Sequence, residues 1–346
     1  MAKRTNLMAA IANTIQSYRK GEIPVPTVDH VDRWISQFTP ENQLPMLQEF
    51  SDIIESSFIT HDRFVRFLGG LMNNAALTGK IPKDFWSKVN FLRVQKDGVS
   101  QRAMLKLMAV QLKDTFGLEL AKCGTDDGDF MYLDDIMFTG SRVGNDIVDW
   151  IKNDAPKECR LHIVLAVTHT TGEYYLRNTR LENAKKEAGK QGIKITVWRA
   201  LELENTVHWN RNADVYWPSE LPNIETVKSY AANGKFPFKP RELGGESKIF
   251  KSEEGRKILE SEFLLAGMKI RSHHSTPKDS LRPLGFGPFG IGFGSTLVTY
   301  RNCPNTAPLA VWWGDGGASN TALQWYPLLP RKTYSSAENV FSKFFD

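Results

Sequence analysis

Between residues 130 and 142 the chain reads Phe130-Met131-Tyr132-Leu133-Asp134-Asp135-Ile136-Met137-Phe138-Thr139-Gly140-Ser141-Arg142. The apolar residues at its start predict a strand from Phe130 to Leu133, and two carboxylates follow at the C-terminal end of that strand. A Thr-Gly-Ser turn then opens a helix from about Ser141 to Asn153. A strand, an acidic pair and a hydroxyl-rich helix start thus stand in direct succession.

Further strands and helices alternate on both sides of this stretch. The sequence predicts strands at Val89–Val94, Leu161–Val167 and Ile193–Trp198, with helices at about 100–116 and 176–190. This alternation predicts a parallel sheet with helical crossovers, and nearly continuous apolar strands fit burial on both faces. Because such sheets bind ligands beyond the C-terminal ends of their strands, near a topological switch point, we expect the functional site at that edge.

Three parts of the chain differ in residue composition and in the spacing of their apolar residues. Residues 1–82 carry apolar side chains at helical spacing, as in the run after the capping residue Thr27, and predict an N-terminal helical module. Residues 83–216 hold the alternating strands and helices. Residues 217–346 combine prolines, a helix near Glu253–Ala266 and a glycine-rich stretch, and predict a C-terminal α+β cap or domain. The expected fold class is therefore α/β, a parallel-sheet core between these two parts.

The composition is that of an ordinary globular protein. Hydrophobic residues make up 41% and charged residues 24%, with a net charge of +5, which permits an anionic ligand or a nucleic acid without demanding either. No apolar run approaches the roughly 18 residues that span a bilayer, and the first apolar stretch is too short for a signal peptide. We therefore expect a cytoplasmic protein with no membrane partner. Three widely spaced cysteines predict reduced structural thiols.

Each part of the stretch around Asp134 has a chemical use. The helix start offers backbone N–H groups and the positive end of the helix dipole, which together bind anions. Gly140 lets the backbone approach a phosphate closely, and the hydroxyls of Thr139 and Ser141 add donors. Asp134 and Asp135 can accept hydrogen bonds from ribose hydroxyls or hold the water shell of a Mg²⁺ ion that bridges a pyrophosphate.

This order of residues resembles the loop of type I phosphoribosyltransferases that binds phosphoribosyl pyrophosphate (PRPP). The resemblance implies that Asp134 and Asp135 bind the ribose 2′- and 3′-hydroxyls and hold Mg²⁺ indirectly. It implies that the 5′-phosphate is cradled by Thr139, Gly140, Ser141 and Arg142. The pyrophosphate loop of that family corresponds in position to residues 95–100, where Lys96 would act in catalysis and Gly98 would bind the ligand.

Two positions depart from the pattern of that family. Phe138 stands where many members have Thr and where the 6-oxopurine enzymes have an acidic residue, and Arg142 stands where a small residue is common. These departures argue against ordinary purine salvage and make Phe138 a candidate substrate contact. His169 follows the longest predicted strand at the same edge. It is either a substrate contact that can act as acid or base, or a loop histidine held for structural reasons.

Residues outside the loop point to a more specific family. The helical N-terminus, the loop and the segment from Gly292-Phe293-Gly294 through Asn302-Cys303-Pro304-Asn305 to Trp312 are similar to phosphoribosyltransferase-like effectors of bacterial conflict systems, including retron-associated effectors. The resemblance implies a toxic activity at the anomeric carbon of PRPP or a nucleotide, in anti-phage defence. It implies as partners a reverse transcriptase with its multicopy DNA, which holds the toxin in check, and often a winged-helix protein.

Other functions stay open at this point. The chain could be a PRPP or nucleotide sensor that has lost catalysis, or a structural subunit whose basic faces hold the retron ribonucleoprotein. For an enzyme, the acceptor of the ribosyl group could be water, a base or a macromolecule. Assembly into a homo-oligomer is also open.

Overall fold

The computed structural model describes residues 2–96, 99–208, 212–232, 236–273, 278, 280–314 and 325–332. Its helices are α1 (Ala2–Ile15), α2 (Val28–Ile35), α3 (Gln43–Ser57), α4 (His61–Met72), α5 (Ala75–Thr78), α6 (Pro82–Lys88), α7 (Ser100–Phe116), α8 (Ser141–Asn153), α9 (Thr170–Tyr175), α10 (Glu182–Glu187), α11 (Glu225–Ala232), α12 (Glu253–Ser272) and α13 (Leu309–Trp312). Its strands are β1 (Phe58–Ile59), β2 (Asn90–Phe91), β3 (Phe130–Met137), β4 (Glu158–His169), β5 (Gly192–Leu203) and β6 (Val298–Thr299). Short 3₁₀ turns lie at Pro40–Asn42 and Leu120–Lys122, and a π-helix, Leu176–Leu181, joins α9 to α10.

The chain divides into two compact units. One unit combines Met1–Thr60 with Thr206–Asp346, and the other is the continuous segment His61–Asn205. The three-part division drawn from the sequence stays a prediction beside this grouping. None of the described helices has both the length and the apolar character needed to cross a bilayer.

The continuous unit is built on a parallel sheet of four strands in the order β2-β3-β4-β5. The predicted parallel sheet with helical crossovers is confirmed, and α7 and α8 occupy the predicted ranges. The strand order runs in one direction without a reversal among the described strands. The C-terminal ends of the strands remain the expected ligand edge, without the topological switch point that the sequence led us to expect.

The two central strands extend beyond their apolar runs. β3 continues through both aspartates to Met137, because Asp134 still pairs with Leu165 and Met137 with Thr168 of β4. In the same way β4 reaches His169, which pairs with Leu203. By contrast, β2 is shorter than the predicted Val89–Val94. The acidic pair is thus held by the strand ladder itself.

One face of the sheet packs against α8, the π-helix and α10. Tyr132, Ile163 and Leu165 of the strands share a buried cluster with Ile147 of α8 and Leu181 of the π-helix. The apolar positions of α8 recur at helical spacing and so face the sheet together. This packing sets the start of α8 directly after the end of β3.

The other unit joins described residues from the first 60 positions and from residue 206 onward in one core. Trp34 of α2 packs against Phe50 of α3 and Phe263 of α12, with ring centroids 4.9 and 6.3 Å away. β1 pairs in parallel with β6, which joins Phe58 to Val298. Residues far apart in sequence therefore form this unit together.

The helical N-terminal part is confirmed. Thr27 caps α2 as predicted, since its hydroxyl oxygen accepts the N–H of His30. After residue 217 the described residues form three helices and a single strand, β6. The glycine-rich stretch there forms mainly turns, so strands contribute less to this region than its sequence suggested.

Candidate functional site

The two carboxylates of the acidic pair lie in different environments. Asp134 is 2% exposed, whereas Asp135 is half-buried. Successive side chains of a strand point to opposite faces, which separates them. Asp134 Oδ1 accepts the N–H of Asp135 at 2.9 Å, and Asp135 Oδ1 accepts the N–H of Ile136 at 2.7 Å. Of the two, Asp135 has the accessible surface that contact with a ligand requires.

Asp134 belongs to a buried polar network that the sequence did not predict. The hydroxyl oxygen of Tyr132 lies 2.9 Å from Asp146 Oδ2 and 3.3 Å from Asp134 Oδ2. The side chain of Ser100, at the start of α7, also hydrogen-bonds Asp134. Asp146 is 6% exposed on the inward side of α8, next to the buried Ile147. A carboxylate among the apolar positions of a helix is the signal that could have revealed this network.

Burial and a neighbouring negative charge both raise the pKa of Asp134. Removal from water and then the negative charge of Asp135 raise the pKa of Asp134 from its ordinary 3.8 to about 7. Hydrogen bonds from Ser100 and the N–H of Asp135, and the charge of Arg142, act against this rise. A carboxyl group that titrates near neutral pH is a feature of many functional sites.

The loop between β3 and α8 is fixed by close backbone contact with α9. Gly140 has a φ of +72°, in the left-handed region that favours glycine. A Cβ atom on Gly140 would lie 2.8 Å from the carbonyl oxygen of Gly172, in the first turn of α9. A Cβ atom on Gly172 would lie 2.1 Å from the carbonyl oxygen of Phe138. Both positions therefore need glycine for the loop to keep this shape.

The predicted phosphate cradle comes together at the start of α8. The Thr139 hydroxyl donates to Ser141 Oγ at 3.1 Å and accepts the N–H of Ser141 at 3.3 Å. The side chains of Thr139, Ser141 and Arg142 are exposed. The N–H groups in the first turn of an α-helix have no acceptor within the helix. Hydroxyls, N–H donors and a guanidinium thus share one exposed helix start, an arrangement that suits a phosphate.

Lys96 has an acidic partner on α8. Its Nζ lies 2.9 Å from Asp149 Oδ2, and its side chain is 71% exposed. The hydrogen bond and the negative charge of Asp149 raise the pKa of Lys96, which keeps it cationic. Asp149 therefore neutralises part of the charge of Lys96, at a position on α8 eight residues beyond Ser141. Gly98, predicted to bind the same ligand group, lies outside the described residues.

His169 is the last residue of β4 and is completely buried. Its Nδ1 lies 3.2 Å from the carbonyl oxygen of Met137, and its ring centroid lies 4.3 Å from that of Phe138. This burial favours the structural role among the two that the sequence left open. Phe138 is partly buried against His169, so the two aromatic rings together support the loop.

A charged cluster that the sequence did not predict holds α9 in place. Glu173 is 5% exposed and accepts the hydroxyl of Thr168 at 3.1 Å. Its Oε1 lies 3.2 Å from Arg199 of β5 and 3.5 Å from Arg177 of the π-helix. Because Gly172 precedes Glu173 directly, this cluster holds the first turn of α9 against the loop.

The donor set at this edge fits a metal ion that the ligand helps to bind. Among the described residues, no three or more His, Cys, Asp and Glu side chains group closely enough to hold a metal ion by themselves. Mg²⁺ often takes one or two carboxylates together with phosphate oxygens and water. The half-buried Asp135 can supply such a carboxylate.

Comparison with known protein families gives a match over most of the chain. The model of the PRTase-CE family matches residues 31–331. Comparison with curated proteins and with solved structures gives no match. The matched range includes all four strands of the parallel sheet and the segments that follow them.

Proposed function

Because the chain belongs to the PRTase-CE family of phosphoribosyltransferase-like conflict-system effectors, we propose that it is a toxic effector of bacterial anti-phage defence that acts at the anomeric carbon of PRPP or a nucleotide. The observation that carries this proposal is the exposed start of α8, where two hydroxyls and Arg142 follow the acidic pair of β3 directly. That arrangement suits a ribose 5-phosphate.

In this proposal Thr139 to Arg142 bind the 5′-phosphate, and Asp135 accepts hydrogen bonds from the ribose hydroxyls. With PRPP, the bond between C1′ and the pyrophosphate oxygen breaks and its electron pair leaves with pyrophosphate. A lone pair of the acceptor forms the new bond to C1′, and the acceptor loses a proton. With a nucleotide, the base leaves instead. Carboxylates near the sugar favour the positive charge that develops at C1′.

Mg²⁺ is the proposed cofactor. Asp134 and Asp135 would hold it indirectly, and it would neutralise charge on a departing pyrophosphate. Lys96 would add a positive charge at the β2 end of the site.

The direct test incubates the purified chain with PRPP and Mg²⁺, alone and with a panel of nucleotides, and measures release of pyrophosphate or free base. We expect turnover in the wild-type chain and a loss of about 100-fold or more in Asp135→Asn, because that carboxylate faces the sugar. Asp126→Asn, which changes an exposed aspartate outside the site, should retain full turnover. Equal turnover in Asp135→Asn and wild type would contradict the site assignment.

The proposed partners are a reverse transcriptase with its multicopy DNA and, in some systems, a winged-helix protein. The test expresses the chain in bacteria with and without such a partner complex and measures growth. We expect growth arrest from the chain alone, rescue by the partner complex, and no arrest from Asp135→Asn. Growth arrest by Asp135→Asn at equal expression would show that toxicity does not depend on this site.

One observation favours the alternative of a sensor without turnover. The charge of Lys96, which would stabilise departing pyrophosphate, is partly used by Asp149 at 2.9 Å. A sensor would bind PRPP saturably in calorimetry without releasing pyrophosphate. Asp149→Asn would release Lys96 and should raise turnover only if the chain is an enzyme.

A further inference from the structure

β5 forms one edge of the parallel sheet. It runs over 12 residues, Gly192–Leu203, and lies last in the strand order β2-β3-β4-β5. Within the described residues, no strand pairs with its outer side. Alternate residues of a strand direct their N–H and C=O groups to the same side, so this outer side presents a row of such groups. A long open edge of this kind is a template for a further strand.

Side chains along β5 are accessible on both faces of the sheet. On one face, Lys194, Thr196 and Ala200 are exposed. On the other face, Ile195 and Val197 are only partly buried against the cluster that α8 shares with the sheet. Neither face of this strand is therefore fully covered.

The residue order of β5 is complementary to itself when it is read in the opposite direction. If a second copy of the strand runs antiparallel with Trp198 opposite Trp198, residues equally far from Trp198 face each other. Lys194 then lies opposite Glu202, and Ile195 lies opposite Leu201. Each pair occurs twice because the arrangement has two-fold symmetry. Opposite-charge pairs and apolar pairs directly across two strands both stabilise a sheet.

Neighbouring registers lose this match. With Val197 on the two-fold axis, Lys194 faces Ala200. With Arg199 on the axis, two guanidinium groups face each other, and like charges directly opposite are destabilising. The residue order thus favours the register centred on Trp198.

The ion pairs already present in one copy are compatible with this register. Glu202 lies 3.0 Å from Arg199 of its own strand, and Arg199 also lies 3.2 Å from Glu173 of α9. Lys194 has no ion partner among the residues that the structure describes. A second copy would supply Lys194 with a carboxylate and would place Glu202 between two positive charges.

We propose that β5 is a dimer interface, at which a second copy of this chain adds its own β5 in the antiparallel direction with Trp198 on the two-fold axis. The two parallel sheets then form one continuous sheet of eight strands, four from each copy. Because the axis reverses the strand direction, the C-terminal ends of the strands point in opposite directions in the two copies. This inference does not depend on the proposed function.

The test measures the mass of the full chain in solution by sedimentation velocity over about 1–100 µM. We expect wild type to form a dimer in this range. Lys194→Glu and Glu202→Lys each place two pairs of like charges opposite each other, so each should weaken the dimer about 10-fold or more. Lys83→Glu changes an exposed lysine on α6, ahead of the strand at the opposite edge of the sheet. This control should dimerise as wild type does.

A mixture of the two charge variants should restore the dimer. In a mixed dimer the two substituted positions lie opposite each other and attract, and the remaining Lys194 and Glu202 form the second pair. We expect the mixture, and also the double variant Lys194→Glu/Glu202→Lys, to dimerise within about 3-fold of wild type. Circular dichroism confirms that each variant is folded. The proposal fails if wild type is monomeric throughout the range, if either folded single variant dimerises as wild type does, or if neither combination restores the dimer.

Discussion

Asp134 and Asp135 are adjacent in sequence and opposite in role. Asp134 shares a buried network with Tyr132, Asp146 and Ser100, whereas Asp135 keeps accessible surface. The strand conformation separates them, because alternate side chains of β3 face the buried cluster. In the proposed function, Asp134 would therefore orient and polarise the site, and Asp135 would contact the sugar.

The first prediction concerns the pH dependence of stability. The pKa of Asp134 is higher in the folded chain, about 7, than its ordinary 3.8. Its contribution to folding is therefore fully present below about pH 4 and is lost as the pH rises through about 7. We expect Asp134→Asn to remove this decline, so the difference in Tm between the variant and wild type should shift in favour of the variant from pH 4 to pH 8.

Asp135→Asn is the matched control for that experiment. The negative charge of Asp135 helps to raise the pKa of Asp134, so this variant should keep the decline but move it to lower pH. Parallel Tm curves for wild type and Asp134→Asn across pH 4–8 would show that Asp134 does not titrate as described.

The second prediction concerns the hydroxyl that joins the two buried carboxyl groups. Tyr132→Phe removes the hydrogen bonds to Asp146 and Asp134 while it keeps the ring. We expect the free energy of unfolding to fall by about 1–3 kcal/mol, the cost of leaving a buried polar group unsatisfied. Chemical denaturation measures this change. Tyr174→Phe, at a position 68% exposed, should change it by less than about 0.5 kcal/mol.

At the scale of elements, the π-helix holds the start of α8 from the side. Arg180 donates to the carbonyl oxygen of Ser141 at 2.8 Å and to Asn145 Oδ1 at 2.7 Å. A Cβ atom on Gly144 would lie 2.6 Å from Arg180 Nη1. A glycine inside α8, where it costs about 1 kcal/mol of helix stability, is thus explained by the room that Arg180 needs.

The third prediction concerns the effect of Gly144→Ala on stability, measured with and without Arg180 in a double-mutant cycle. Gly144→Ala alone should not stabilise the chain, because the new methyl group displaces Arg180 from its two partners. In an Arg180→Ala background the same substitution should stabilise by about 0.5–1 kcal/mol, the usual gain of alanine over glycine in a helix. Denaturant unfolding of the four proteins measures both values. A stabilisation of equal size in both backgrounds would contradict the steric explanation.

At the scale of the whole molecule, residues 325–332 return to the N-terminal helices within their unit. Trp325 donates to the carbonyl oxygen of Ala310 at 2.9 Å, and its ring centroid lies 5.3 Å from that of Phe38. His30 Nδ1 lies 2.6 Å from the hydroxyl of Tyr326. The late segment therefore completes a core that the first helices begin.

The fourth prediction tests whether residues 325–332 stabilise this core. Trp325→Ala and Leu329→Ala, which truncate side chains that are 6% and 0% exposed, should each lower the free energy of unfolding by about 2–5 kcal/mol. Val25→Ala, at a position 54% exposed, should change it by less than about 0.5 kcal/mol. Denaturant titration provides the values. Stability unchanged in both core variants would show that the segment does not support this core.

The sequence alone determined the local features of the site. Apolar periodicity and the Thr139-Gly140-Ser141 turn are properties of neighbouring residues, so the strand, the helix start and the parallel sheet were predictable. The resemblance of this stretch to phosphoribosyltransferases rested on the same short-range order, and the PRTase-CE match over residues 31–331 agrees with it. The bounds of β3 were not predictable, since the ladder with β4 extends them past the apolar run.

Only the tertiary structure decided which groups meet. The burial of Asp134 depends on Tyr132 and on Asp146 of another element, and the partner of Lys96 is Asp149 on α8. These contacts cross between separate elements, so no local pattern encodes them. The same reason applies to the Gln101 amide, whose NH₂ group has no acceptor among the described residues, because its burial arises only when the start of α7 is packed beside the sheet.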